Sequence, residues 1–115
     1  MNVKVYYNLR KKCLSVVACE GINKGRVIFY AQTIYLQNVR FKVSETGRQR
    51  VLAEKQKNVH AYMYGKITNV LWEPLSREIT YNPYKYSSFV DKSSLKPVDN
   101  AKFAIVHGQT IVASD

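Results

Sequence analysis

Apolar and polar side chains alternate from the start of the chain. Val3, Val5, Tyr7 and Leu9 interleave with Lys4, Tyr6, Asn8 and Arg10, the two-residue period of a strand with one buried face. Arg10-Lys11-Lys12 predicts a basic turn, and a second apolar run extends from Cys13 to Cys19. Gly21-Ile22-Asn23-Lys24-Gly25 carries turn residues, so residues 13–19 and 26–36 read as a hairpin.

The parity of the pattern then changes. Ile34 and Leu36 occupy even positions, whereas Val39, Phe41 and Val43 occupy odd ones. Strict alternation cannot turn both sets to one core, which predicts a bulge or tight turn near Gln37-Asn38. Beyond it, Arg40 and Lys42 point away from the core. Residues 44–57 are the helix candidate, with the helix expected near 46–57. Ser44 or Thr46 caps it, Glu45 lies at the positive end of its dipole, and Asn58 suits a stop. Val51 and Leu52 define its buried side. Arg50 and Lys57 face solvent, while Arg48 and Lys55 lie nearer the apolar side and snorkel.

In the following strand Val59, Ala61 and Met63 alternate with His60, Tyr62 and Tyr64. The strand resumes through Ile67 and Val70 towards Trp72 and is broken by Pro74; Arg77 to Thr80 forms another. Tyr81 to Val90 reads as a tyrosine-rich loop started by Asn82-Pro83. Phe103–Val106 and Thr110–Ala113 flank His107-Gly108-Gln109, a terminal hairpin signal. Six to eight short strands with one helix predict a small α+β domain, 1–115, dominated by a curved antiparallel sheet, with barrel closure left open.

Composition narrows the picture. At 115 residues and 46% apolar content, one domain with its own core is the expectation. No stretch approaches the ~18 apolar residues of a membrane span, and Met1-Asn2-Val3-Lys4-Val5 does not begin a secretory leader. A soluble, intracellular protein is expected, with no membrane partner. Cys13 and Cys19 do not form a CxxC pair, and His60 and His107 stand at no metal-ligand spacing from them; no metal and no cofactor are expected. The net charge of +10 changes the picture most. Surplus like charge repels itself in a compact fold, and polyanions are its commonest partners.

Six cations face two acids in the middle of the chain. The candidate nucleic-acid-binding set is Arg40, Lys42, Arg48, Arg50, Lys55, Lys57, His60, Tyr62 and Tyr64, against Glu45 and Glu54. Cations neutralise phosphates and release counterions, while flat rings stack on unpaired bases. The alternative is a solvated sheet face whose tyrosines only pack across strands. A second candidate is an interaction loop of Tyr81, Tyr84, Lys85 and Tyr86, where rings either serve a partner or pin the loop over the core. A third is a metal-independent ribonuclease using His60 and His107 as acid and base. No P-loop, nucleophile elbow, HExxH or dinucleotide fingerprint occurs, although loop cations suit a phosphorylated small ligand such as a signalling nucleotide.

Three segments carry a resemblance: Val5-Tyr6-Tyr7-Asn8-Leu9 with Lys11-Lys12, Lys57-Asn58-Val59-His60-Ala61-Tyr62, and Tyr81-Asn82-Pro83-Tyr84-Lys85-Tyr86-Ser87-Ser88-Phe89-Val90. Together they resemble a family of small bacteriophage-encoded accessory proteins, across most of the chain and without a catalytic motif to transfer. The resemblance implies a location in the host cytoplasm. Joined to the basic, aromatic pattern, it gives a non-enzymatic protein that binds RNA, DNA or a host nucleoprotein complex, with counter-defence inhibition of the anti-CRISPR kind as one role.

Overall fold

The opening alternation becomes a strand. In the computed structural model, which describes residues 1–69 and 75–114, β1 spans Asn2–Asn8 and buries Val3 and Val5 completely. The expected continuation through Val70 and Trp72, and its break at Pro74, lie outside the described residues. Strand β2, Cys13–Ala18, is buried on both faces, and it forms the expected hairpin with β3, Val27–Ala31. Residues 26–36 are not one strand, however. A bend at Gln32 separates β3 from β4, Thr33–Val43. Burial explains the break: β3 keeps Val27, Phe29 and Tyr30 exposed, whereas β4 carries Ile34 and Leu36 into the core.

The parity change in β4 is resolved by a bulge, one of the two expected alternatives. Pairing with β5, Ala61–Ile67, shifts register between Gln37 and Arg40, and Asn38 takes a left-handed φ of 53°, which asparagine tolerates better than most residues. Gly65 lets the strands close over it: a Cβ there would lie 3.0 Å from the Gln37 carbonyl oxygen. Leu36 and Val39, of opposite parity, are thereby both fully buried.

Helix α1 covers Glu45–Glu54, and Ser44 caps it by accepting the Gly47 N–H at 3.3 Å. It ends earlier than expected. Lys55 adopts φ 56° and donates its N–H to Val51 at 2.8 Å, closing the helix with a left-handed residue. Asn58 is therefore not the stop; its side-chain amide instead donates back to the Gly47 carbonyl at 3.2 Å.

The remaining strands are β6, Arg77–Thr80; β7, Val90–Asp91; β8, Asn100–His107; and β9, Thr110–Ala113. The last two form the terminal hairpin, and Gly108 supplies a φ of 57° in its turn. Nine strands among the described residues form one sheet in the order β3-β2-β1-β5-β4-β8-β9-β6-β7, antiparallel at every pairing and open rather than closed into a barrel. The count exceeds six to eight because residues 26–36 divide and the tyrosine loop ends in the short β7. Val5, Leu14, Leu36, Val39, Ala104 and Val106 share one core cluster with Phe89 and Val98, which come from connections. Burying each such valine or leucine side chain contributes about 1.5–3 kcal/mol.

Candidate nucleic-acid interface

Strand order places β1, β5 and β4 side by side. Their registers set Lys4 and Arg40 on either side of Tyr64, and Lys42 beside Tyr62. Alternation turns these even-numbered residues away from the core, where Val3, Val5, Phe41 and Met63 are buried. Arg40, Lys42, Tyr62 and Tyr64 line one groove of about 540 Å³, together with Asn38 at the bulge and Ser44 at the helix cap. Four of the residues singled out from sequence thus meet in one place.

The same face holds residues that the sequence reading left out. The Lys4 ammonium lies 4.8 Å from the centroid of the Tyr62 ring, and Tyr6 meets that ring edge-on at 6.0 Å. Both were visible as the polar half of the first strand; what the sequence could not supply was the pairing of β1 with β5. Lys66 follows Tyr64 on the same side of β5 and is exposed. Burial, then the neighbouring phenols Tyr64 and Tyr6, pushes the Tyr62 hydroxyl above its ordinary pKa. That hydroxyl donates to the Val59 carbonyl at 3.2 Å. Acidic groups stand at the margins: Glu20 accepts the Asn2 N–H at 3.0 Å, and Asp99 joins Arg40 and Lys42 along an adjoining cleft.

The helix cations divide differently. Arg48 donates to the carbonyls of Pro83 at 3.0 Å and Tyr86 at 2.9 Å, and pairs with Glu45 at 3.0 Å. It ties the tyrosine loop to α1 rather than facing the groove. The Gln49 amide, followed by Arg48, holds the Glu45 carboxyl below its ordinary pKa. Arg50, Lys55 and Lys57 are exposed, and Lys57 lines a separate cavity near Tyr84.

The placement of His60 beside Tyr62 and Tyr64 is corrected. Its side chain is only 5% exposed, whereas the preceding Val59 is 37% exposed. The alternation read from Val59 onwards fails because β5 starts at Ala61, after the connection from α1 has turned His60 inward. A Cβ on Gly47 would lie 2.4 Å from the His60 Cβ, so glycine is what lets the helix sit on this residue. The Asn58 amide donates to Gly47, which turns its oxygen towards the imidazole. His60 Nδ1–H therefore donates to Asn58 Oδ1 at 2.8 Å, and Nε2 accepts the Tyr81 hydroxyl at 2.7 Å. Burial foremost pushes the Tyr81 phenol up to about 12.

His107 has another setting: its Nδ1 hydrogen-bonds to Thr33 Oγ1 across β4 and β8. The two imidazoles are held by different partners, Asn58 and Tyr81 for His60 and Thr33 for His107. The tyrosine loop is split as well. Tyr81 packs against His60 and Phe89, Tyr86 is half-buried, Lys85 is exposed, and Tyr84 is 56% exposed. Asn82 shapes the turn by accepting the Tyr84 N–H at 2.9 Å.

Cys13 and Cys19 are free thiols. Among the described residues, no group of three or more His, Cys, Asp and Glu side chains gathers to hold a metal, and no helix is long and apolar enough to cross a membrane. Comparison with known proteins finds a family model described as Mycobacterium phage L5 gene 82 protein, which matches residues 1–114. The "Gene 82 protein" of Mycobacterium phage L5 is 35% identical over 104 residues, covering 84% of this chain and 82% of that protein. No solved structure matches.

Proposed function

The chain belongs to the Mycobacterium phage L5 gene 82 protein family, and from that premise we propose that it is a phage protein binding single-stranded nucleic acid. Binding uses the outer face of β1, β5 and β4. One observation carries the reading: Arg40 and Lys42 line a single groove with Tyr62 and Tyr64, and the register sets Lys4 beside Tyr64 on the same face of the sheet. Arg40 and Lys42 are exposed and supply phosphate attraction, while the half-buried Tyr62 and Tyr64 supply flat rings. Lys4 already occupies the Tyr62 ring, which leaves Tyr64 as the principal stacking platform. Stacking needs an unpaired base, so a single strand is preferred over a duplex. In an infected cell such binding shields phage nucleic acid from host enzymes or competes for their substrate, which is how a counter-defence role arises.

The test is fluorescence anisotropy with a labelled single-stranded oligonucleotide and its duplex, across a salt series. Log affinity for the single strand falls by about 0.7 per log salt unit for each phosphate neutralised, and Arg40→Gln with Lys42→Gln flattens the slope by about 1.4. Tyr64→Ala weakens the single strand more than the duplex. An unchanged slope in the double variant sinks this reading.

A further inference from the structure

Exposed apolar side chains gather at one end of the sheet. Leu9, Val59 and Tyr84, respectively 38%, 37% and 56% exposed, surround a cavity of about 370 Å³. A smaller void of about 240 Å³ adjoins it, shares Tyr7 and Tyr81 with it, and reaches Val106 and Ile111 in the core. The odd-numbered Tyr7 packs against the core cluster from the inner side of β1, whereas the groove is lined by the even-numbered Arg40, Lys42, Tyr62 and Tyr64. The cavity and the groove are therefore on opposite faces of the sheet.

Polar groups at the cavity indicate what it takes. Lys57 lines it and is exposed, and among the described residues no carboxylate does so. Asn82 gives its side-chain oxygen to the Tyr84 N–H, so its NH₂ remains as the donor. Gln109, exposed in the β8–β9 turn, offers both a donor and an acceptor. His60 and Asn58 satisfy each other and Tyr81, which makes that wall a fixed support. A purely apolar ligand leaves the amides and the ammonium unused, and a simple anion leaves the rings unused. A nucleotide uses all three: a flat base for the rings, a polar base edge for the amides and a phosphate for the lysine.

We propose that this cavity is a single-nucleotide site. The base lies against Tyr7 and Tyr84, Asn82 and Gln109 read its edge, and Lys57 holds the phosphate. The nucleotide is either free or one unit of a bound strand.

Calorimetric titration with ribonucleoside 5′-monophosphates, beside anisotropy with a labelled single-stranded oligonucleotide, separates these sources. Variants Tyr84→Ala and Lys57→Gln change exposed side chains, and circular dichroism checks their fold. If a monophosphate binds saturably, Tyr84→Ala weakens it about tenfold or more, Lys57→Gln weakens it too, and Arg40→Gln with Lys42→Gln leaves it unchanged. If no monophosphate binds but Tyr84→Ala still weakens the oligonucleotide tenfold, the site takes a nucleotide of the strand. A monophosphate that binds Tyr84→Ala as well as the unaltered protein overturns the proposal. So does the absence of monophosphate binding together with an oligonucleotide indifferent to both variants, even where Arg40→Gln with Lys42→Gln abolishes oligonucleotide binding and the groove reading stands.

Discussion

At Gly47 a single hydrogen atom decides how closely α1 approaches His60. Alanine is the better helix former by about 1 kcal/mol, yet its methyl carbon would sit 2.4 Å from the His60 Cβ. Overpacking of that kind costs about 1–3 kcal/mol, and here the contact involves a Cβ that no rotamer change can move. Gly47→Ala is therefore expected to destabilise the protein in urea unfolding, against its helix propensity. His60→Ala leaves a Cβ in place, so it does not rescue Gly47→Ala, whereas His60→Gly does. A stabilised Gly47→Ala protein would show that the helix rides higher than described. Tyr81 makes a second prediction. Its phenol ionises near 10 when unfolded and at about 12 in the fold, so between these values the unfolded chain releases a proton that the folded chain keeps. The Tyr81 contribution to stability is complete below pH 10 and is lost as pH rises towards 12. Ultraviolet titration of the phenols should show a late-ionising tyrosine that disappears in Tyr81→Phe; an unaltered titration curve counts against the buried His60–Tyr81 pair.

Elements were legible where one physical rule had no competitor. The even-to-odd shift between Leu36 and Val39 demanded a bulge or a tight turn, and β4 has a bulge at Asn38. Sequence narrowed the cap to Ser44 or Thr46, and Ser44 takes the role by accepting the Gly47 N–H. The helix end was not readable, since Lys55 carries no sequence mark of the left-handed conformation it adopts. Nor was the inward turn of His60, which depends on where β5 begins rather than on the alternation before it. Arg48 is the other case. Sequence offered it as a phosphate ligand, but two loop carbonyls compete for its guanidinium and hold it. Both carbonyls share the single Nε–H, so together they count as about one hydrogen bond to a charged group, which contributes about 1.5–3 kcal/mol. Arg48→Ala should then cost about 1–3 kcal/mol and speed amide exchange at Lys85 and Tyr86, whose N–H groups close the Asn82 turn, more than in β1. Uniform acceleration across the sheet would mean that Arg48 supports the whole fold instead of the loop.

Across the whole molecule, net charge and strand order work on the same residues in opposite senses. Pairwise hairpins were readable from turn residues, but the central placement of β5 between β1 and β4 depends on contacts distant in sequence, and that placement creates the groove. It sets Lys4, Arg40, Lys42 and Lys66 on one face of a chain already carrying a net charge of +10. Like charges so arranged repel, and salt relieves the repulsion: the screening length shrinks from about 30 Å at 0.01 M to about 8 Å at 0.15 M. Thermal stability should therefore rise over that range while affinity for a single strand falls. Arg40→Gln with Lys42→Gln should show the same opposition at fixed low salt, gaining a few tenths of a kcal/mol in stability and losing oligonucleotide binding. Calorimetry at both salt concentrations checks the first arm and anisotropy the second. If the double variant melts lower at low salt, the two cations are held by contacts within the fold, and their exposure on the sheet is no sign of an absent polyanion.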